Sequence, residues 1–177
     1  VFKNGHADSG PAALKLNMRN TIVSDSMFEG NHGSAISSYG DYGRNETIKI
    51  QRSQFFNNSA APAIHHAGYY SPLEVISSRF ENNEGAVHAL VNYSPAIIQN
   101  AIFLNNTSDD QSVGVHMRGG DRSVHNSLFS ESYESQTGDR IALYMNGRDV
   151  NQIYNSIYLN EANVTGIGEK FEIYHSF

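Results

Sequence analysis

The chain has 177 residues, 39% of them hydrophobic, and its 12 Lys and Arg against 18 Asp and Glu give a formal net charge of −6. That length supports one domain, residues 1–177, with a sizeable core, and the acidic balance leaves no basic footprint to neutralise phosphates, which excludes nucleic acid as a partner. The absence of Cys removes disulfides and thiolate metal sites, and no apolar run approaches the roughly 18 to 20 residues of a membrane span.

The opening element, Val1-Phe2-Lys3-Asn4, sets a motif that returns along the chain. Phe2, Phe28, Phe55, Phe80, Phe103, Phe129 and Tyr158 follow one another at intervals of 26, 27, 25, 23, 26 and 29 residues. Two residues before each of the last six aromatics stands a small residue (Ser26, Ser53, Ser78, Ala101, Ser127, Ser156), and five before it a β-branched one (Val23, Ile50, Val75, Ile98, Val124, Ile153). A second strand follows in each repeat: Ala13-Leu14, Ala35-Ile36, Ala63-Ile64, Ala86-Val87, Gly114-Val115, Ala142-Leu143 and Glu172-Ile173. Alternation within these short strands puts the aromatic and aliphatic residues on an inner face.

This arrangement predicts an all-β fold, a right-handed parallel β-helix of about seven rungs of roughly 25 residues, stacked at about 4.8 Å per rung. A β-sandwich also uses many short strands, but seldom repeats one phased motif along the whole chain. Both ends of the sequence fall inside repeat-like segments, so a piece of a longer chain is expected.

Asn31, Asn58, Asn83 and Asn106 stand three residues after the aromatic, a position taken by Ser132 and Glu161 in the last repeats. Asn100, Asn126 and Asn155, just before the later aromatic strands, suit left-handed corners and are expected to form a structural Asn ladder.

The segments Phe28-Glu29-Gly30-Asn31, Phe55-Phe56-Asn57-Asn58, Phe80-Glu81-Asn82-Asn83 and Phe103-Leu104-Asn105-Asn106 resemble the F-x-x-N repeats of polymorphic outer-membrane and adhesin-like proteins. They are similar to β-helix repeats of large fibrocystin-like ectodomains, within the right-handed parallel β-helix, or pectate-lyase-like, superfamily. The resemblance covers nearly the whole chain and implies the fold. That superfamily includes polysaccharide lyases, hydrolases and epimerases, phage tailspikes and non-catalytic surface proteins, so it implies no single reaction.

One residue after the second-strand aliphatic comes the series Lys15, Ser37, His65, His88, His116, Tyr144 and Tyr174. Alternation turns this series outward, and His65, His88, His116, Tyr144 and Tyr174 are the expected ligand-binding residues, offering hydrogen bonds and rings to a polysaccharide or glycan. If the chain were a lyase, Arg118 would neutralise a uronate while His88, His116 or Tyr144 moved the proton. A linear column of imidazoles does not converge as a tetrahedral metal site needs, and His66 is expected to be packed inside. No cofactor is expected; Asp109 and Asp110, adjacent in a loop, form the one calcium alternative.

Sequons at Asn45, Asn92, Asn106 and Asn163 are the glycosylation candidates, with Asn57 and Asn105 inside the repeat motif itself. The expected function is a non-catalytic scaffold or adhesion segment, extracellular or on a cell surface, binding a glycan or another surface protein. The alternatives are a polysaccharide lyase, hydrolase or related carbohydrate-active enzyme, or a phage or viral fibre segment that associates through the outward apolar positions Met27, Ile102, Leu128 and Ile157.

Overall fold

The computed structural model describes residues 1–16, 20–39, 46–68, 70–91, 94–106, 115–130, 141–147, 150–159, 163–167 and 170–174. They form a parallel β-solenoid of three sheets with seven strands each. Sheet A stacks the short strands Phe2–Lys3, Met27–Glu29, Gln54–Phe56, Arg79–Glu81, Ile102–Leu104, Leu128–Ser130 and Ile157–Leu159. Sheet B stacks His6–Leu16, His32–Tyr39, Ile64–Gly68, Val87–Val91, Val115–Gly119, Ile141–Gly147 and Asn163–Ile167. Sheet C stacks Thr21–Ser24, Ile48–Gln51, Leu73–Ile76, Ala96–Gln99, Arg122–His125, Val150–Tyr154 and Lys170–Tyr174. Each strand pairs in parallel with the strand one turn later, a topology no sandwich has.

The interior is made of side chains stacked on their own kind. In sheet A the seven aromatics fall in register, their rings 4.7–5.0 Å apart and within 8° of parallel. Phe28, Phe55, Phe80, Phe103 and Phe129 are fully buried. Ile36, Ile64, Val87, Val115 and Leu143 form the matching column of sheet B. Ile50, Val75, Ile98, Val124 and Ile153 form that of sheet C. Because each turn presents the same shape to the next, one set of contacts repeats along the rod, and no turn buries its own faces alone.

Among the described residues, two series of corners adopt the left-handed backbone. Between sheets C and A stand Asp25, Arg52, Ser77, Asn100, Asn126 and Asn155, with φ from 46° to 52°, and just after sheet A stand Asn4, Gly30, Asn57, Asn82 and Asn105, with φ from 50° to 64°. Asn and Gly tolerate this region best. Asn100, Asn126 and Asn155 form the expected ladder on the surface: Asn126 Nδ2 donates to Asn100 Oδ1 (3.3 Å), and Asn155 Nδ2 to Asn126 Oδ1 (3.2 Å).

A second, buried ladder explains the F-x-x-N motif. Asn31, Asn58 and Asn83 each donate Nδ2–H to the Oδ1 of the next Asn, at 2.8, 2.8 and 2.9 Å, ending on Asn106. The other amide hydrogen of Asn58, Asn83 and Asn106 goes to the carbonyl of Phe28, Phe55 and Phe80 in the preceding turn, at 3.0–3.2 Å. Each Oδ1 also accepts a backbone N–H of the preceding turn: Gly5, Asn31, Asn58 and Asn83 donate at 2.9–3.2 Å.

Before each aromatic strand the Ser hydroxyl donates to the carbonyl two residues back, as Ser53 Oγ does to Gln51 O (3.0 Å), and accepts the backbone N–H one turn earlier, as from Ser26 (3.3 Å). Ala101 interrupts this series in a buried place. Ala101→Ser is therefore expected to raise the melting temperature by roughly 2–4 °C, on the order of 1 kcal/mol, because the added hydroxyl finds a donor and an acceptor already placed. Calorimetry checks it; a lower melting temperature would show that the site lacks room for the oxygen.

The last turn departs from the expected strand assignment. The sheet B strand there is Asn163–Ile167, so Thr165 follows Tyr144 in register. Phe171-Glu172-Ile173-Tyr174 belongs to sheet C, where Ile173 pairs with Ile153 and Tyr174 with Tyr154.

Candidate functional site: the histidine strip

Sheet B places Lys15, Ser37, His65, His88, His116 and Tyr144 in one register column, as the alternation predicts. Tyr174 is not part of it; its ring stacks on Tyr154 in sheet C at 4.7 Å. The column is not the flat, open face expected of it. Ser37 is buried, and His65, His88, His116 and Tyr144 are half-buried. The rings do not stack in parallel either. His88 meets His116 edge to face (5.4 Å, 75°), and His116 meets Tyr144 likewise (4.9 Å, 82°). Edge-to-face contact sets positive ring edges against π faces, so these rings pack on one another as well as toward solvent. Alternation fixes the direction of a side chain but says nothing about how much of it neighbours cover.

The electrostatics follow from that packing. Burial, reinforced by neighbouring His116 and His65, pushes His88 down from 6.5 to about 4. Burial also lowers His65. The strip is thus neutral at pH 7 around His88, which weakens it as an attractor of uronates. Nε2 of His88 is buried and has no hydrogen-bond partner among the described residues. Arg118 stands exposed two residues beyond His116, in register with Asn146. Asn146 Nδ2 in turn donates to Tyr144 Oη at 3.4 Å. His88, His116, Arg118 and Tyr144 therefore do share one side of sheet B.

His66 faces the interior and is fully buried. Its Nε2 lies 2.8 Å from Ser71 O, and a carbonyl only accepts, so Nε2 carries the proton and Nδ1 accepts from the Ser38 hydroxyl at 2.7 Å. Burial holds this imidazole neutral as well.

The remaining sites divide cleanly. Asp109, Asp110, Asn45 and Asn92 lie outside the described residues. Asn106 is corrected: its amide is buried at the end of the Asn ladder, with both atoms engaged, so a glycan cannot be attached without breaking that ladder. Asn163 opens the last strand of sheet B. Among the described residues no three His, Asp or Glu side chains gather as a metal centre. Met27, Ile102, Leu128 and Ile157 do share one outward column of sheet A, but Gln54 and Arg79 interrupt it, and of the four only Ile157 is widely exposed.

These features define a β-solenoid protein of the parallel β-helix type. Compared with known proteins, the chain matches no family model, no curated protein and no solved structure.

Proposed function

We propose that the chain is a non-catalytic segment of an extracellular or cell-surface β-helix protein, a rigid stalk or binding scaffold of the pectate-lyase-like kind. The observation that carries this reading is the internal order of the described turns: the aromatic and aliphatic columns keep one register from turn to turn, joined over part of their length by hydrogen-bonded ladders, which suits a stiff rod. The F-x-x-N repeats, similar to those of adhesin-like and fibrocystin-like surface proteins, support the location. His65 and Tyr144 offer glycan contact through what their half-burial leaves open, with His88 and His116 between them in the column although their Nε2 atoms are buried, and a second surface protein is the other class of partner.

Of the residues a lyase would use, His88 favours the scaffold reading. A base as weak as His88, with its ring packed against His116, is poorly matched to proton abstraction at neutral pH. The test is a turnover screen against neutral, uronate-containing and sulfated polysaccharides, following unsaturated products. No turnover is expected from the parent chain. His116→Ala and Tyr144→Ala are expected to keep the fold at a cost of about 1 kcal/mol each, the worth of an edge-to-face pair. Product formation that either substitution abolishes would replace the scaffold with an enzyme.

A further inference from the structure

The corner after each strand of sheet A joins an outward side chain to a left-handed residue. In the first five turns the pairs are Lys3-Asn4, Glu29-Gly30, Phe56-Asn57, Glu81-Asn82 and Leu104-Asn105. Register aligns the outward members, Lys3 with Glu29, Glu29 with Phe56, Phe56 with Glu81 and Glu81 with Leu104. Lys3, Glu29 and Glu81 are charged, Lys3 pairing with Glu29 and Glu81 with Arg79. Phe56 and Leu104 are apolar and only half-buried. Those two corners, and not the other three, continue into an N-linked glycan acceptor sequence: Asn57-Asn58-Ser59 and Asn105-Asn106-Thr107, against Asn4-Gly5-His6, Gly30-Asn31-His32 and Asn82-Asn83-Glu84. In the last two turns Ser130 and Leu159 take the outward place, and no acceptor sequence follows them.

Within each Asn pair the structure separates the two amides. Asn58 and Asn106 are buried in the ladder, and Asn58 Nδ2 donates both hydrogens, to Asn83 Oδ1 (2.8 Å) and Phe28 O (3.1 Å). Replacing either hydrogen with a sugar would strand a buried acceptor. Asn57 is exposed at φ 53°, and its side-chain amide makes no hydrogen bond among the described residues. Gly30, whose N donates to Phe56 O at 3.0 Å in the preceding turn, sets no side chain against it. Asn105 stands exposed at the same corner two turns on, at φ 50°. Two turns separate the acceptors by about 10 Å, enough for sugar chains side by side, where neighbouring turns at about 4.8 Å would crowd them.

We propose that Asn57 and Asn105 carry N-linked glycans, which cover Phe56 and Leu104 where the other corners present charge. The assignment depends on the extracellular reading above, because the modification takes place at a secretory membrane. In the attachment step Asn Nδ2 attacks C1 of an oligosaccharide carried on a polyprenyl pyrophosphate. The N–C1 bond forms, the bond from C1 to the phosphate oxygen breaks, the amide gives up one proton, and the polyprenyl pyrophosphate leaves with the bonding electrons. The acceptor in the Asn105-Asn106 pair is thus the corner residue and not the ladder residue. A hydrated sugar beside each apolar side chain does what the carboxylates of Glu29 and Glu81 do at their own turns: it keeps the outer face of sheet A from joining that of another molecule.

The test uses the protein as its own cells make it. Surface and secreted fractions are separated from the cytosol, and the chain is digested and treated with a peptide N-glycosidase in heavy-oxygen water, with a control lacking the enzyme. Mass spectrometry then finds heavy oxygen wherever a glycan was attached. Label is expected at positions 57 and 105 and not at 58 or 106. A chain recovered outside the cell with no label at 57 and 105, or with label at 106, overturns the assignment and leaves the scaffold reading standing. A chain found only in the cytosol overturns that reading and the assignment with it. The covering role is tested by combining Asn57→Gly with Asn105→Gly, which installs the residue of the second turn's corner and spares the ladder. This double variant is expected to lose the mass of two glycans, to keep its circular dichroism melt, and to self-associate in sedimentation at a concentration roughly tenfold lower than the parent. A double variant that stays as monomeric as the parent overturns the covering role.

Discussion

Asn83→Ala is expected to destabilise the chain by about 3–5 kcal/mol, a fall in melting temperature of roughly 10 °C. Its buried amide makes four hydrogen bonds: it donates to Phe55 O (3.0 Å) and Asn106 Oδ1 (2.9 Å), and accepts from the backbone N (3.1 Å) and Nδ2 (2.8 Å) of Asn58. Truncation strands these partners out of reach of water, and it is the stranded groups that carry the cost. Asn83→Asp is expected to be no better, since it places a buried carboxylate against Phe55 O and Asn106 Oδ1. The neighbouring Asn82 makes the comparison sharp. It is exposed at φ 54°, so Asn82→Ala meets only left-handed backbone strain, about 1 kcal/mol, and Asn82→Gly removes even that. Hydrogen exchange locates the effect: Asn83→Ala should release the amide of Asn58 before those of distant turns. Equal costs at positions 82 and 83 would refute the ladder as the source of stability.

Acid is expected to weaken the fold well before the carboxylates titrate. His88 has its pKa at about 4 in the folded chain against 6.5 when free, and His65, His66 and His125 are shifted in the same direction by burial. Between those values the unfolded chain binds protons that the folded chain refuses, so stability falls as pH falls from about 6.5 toward 4 and is complete above 6.5. For His88 alone the loss amounts to about 3 kcal/mol by pH 4. The groups facing His88 along the strip are His65 and His116, and protonating any of the three adds like charge beside the others. Denaturant titrations at pH 7, 5.5 and 4.5 check this, and His88→Gln should flatten the dependence. A midpoint that does not move with pH would mean that the strip opens to solvent more easily than its packing implies.

Much of the fold was legible because ladders require like residues at like positions. The phenylalanine column, the aliphatic columns and the left-handed Asn corners all announce themselves as repeats. Tyr174 was misplaced for a definable reason. Phe171-Glu172-Ile173-Tyr174 reads equally well as a second or a third strand, while Asn163-Val164-Thr165 lacks the small-aliphatic pair that marks sheet B elsewhere. Asn106 was ambiguous because a sequon and a ladder position are written with the same residue, and only burial separates them. The half-burial of the histidines arises from how corners and neighbouring rows cover one another. A pattern of single letters does not encode that.

The like-on-like hydrogen bonding has one more implication. Asn58 meets Asn83 as Asn31 meets Asn58, and Phe55 meets Phe80 as Phe28 meets Phe55, so the interfaces between these turns are nearly copies of one another. Such a molecule has translational symmetry, and its length is a free parameter. Duplicating the 25 residues from Asn58 to Asn82 would join known surfaces to known surfaces and extend the rod by one step; the natural turns already span 23 to 29 residues between successive aromatics, so what has to be copied is the set of ladder positions and not a fixed count.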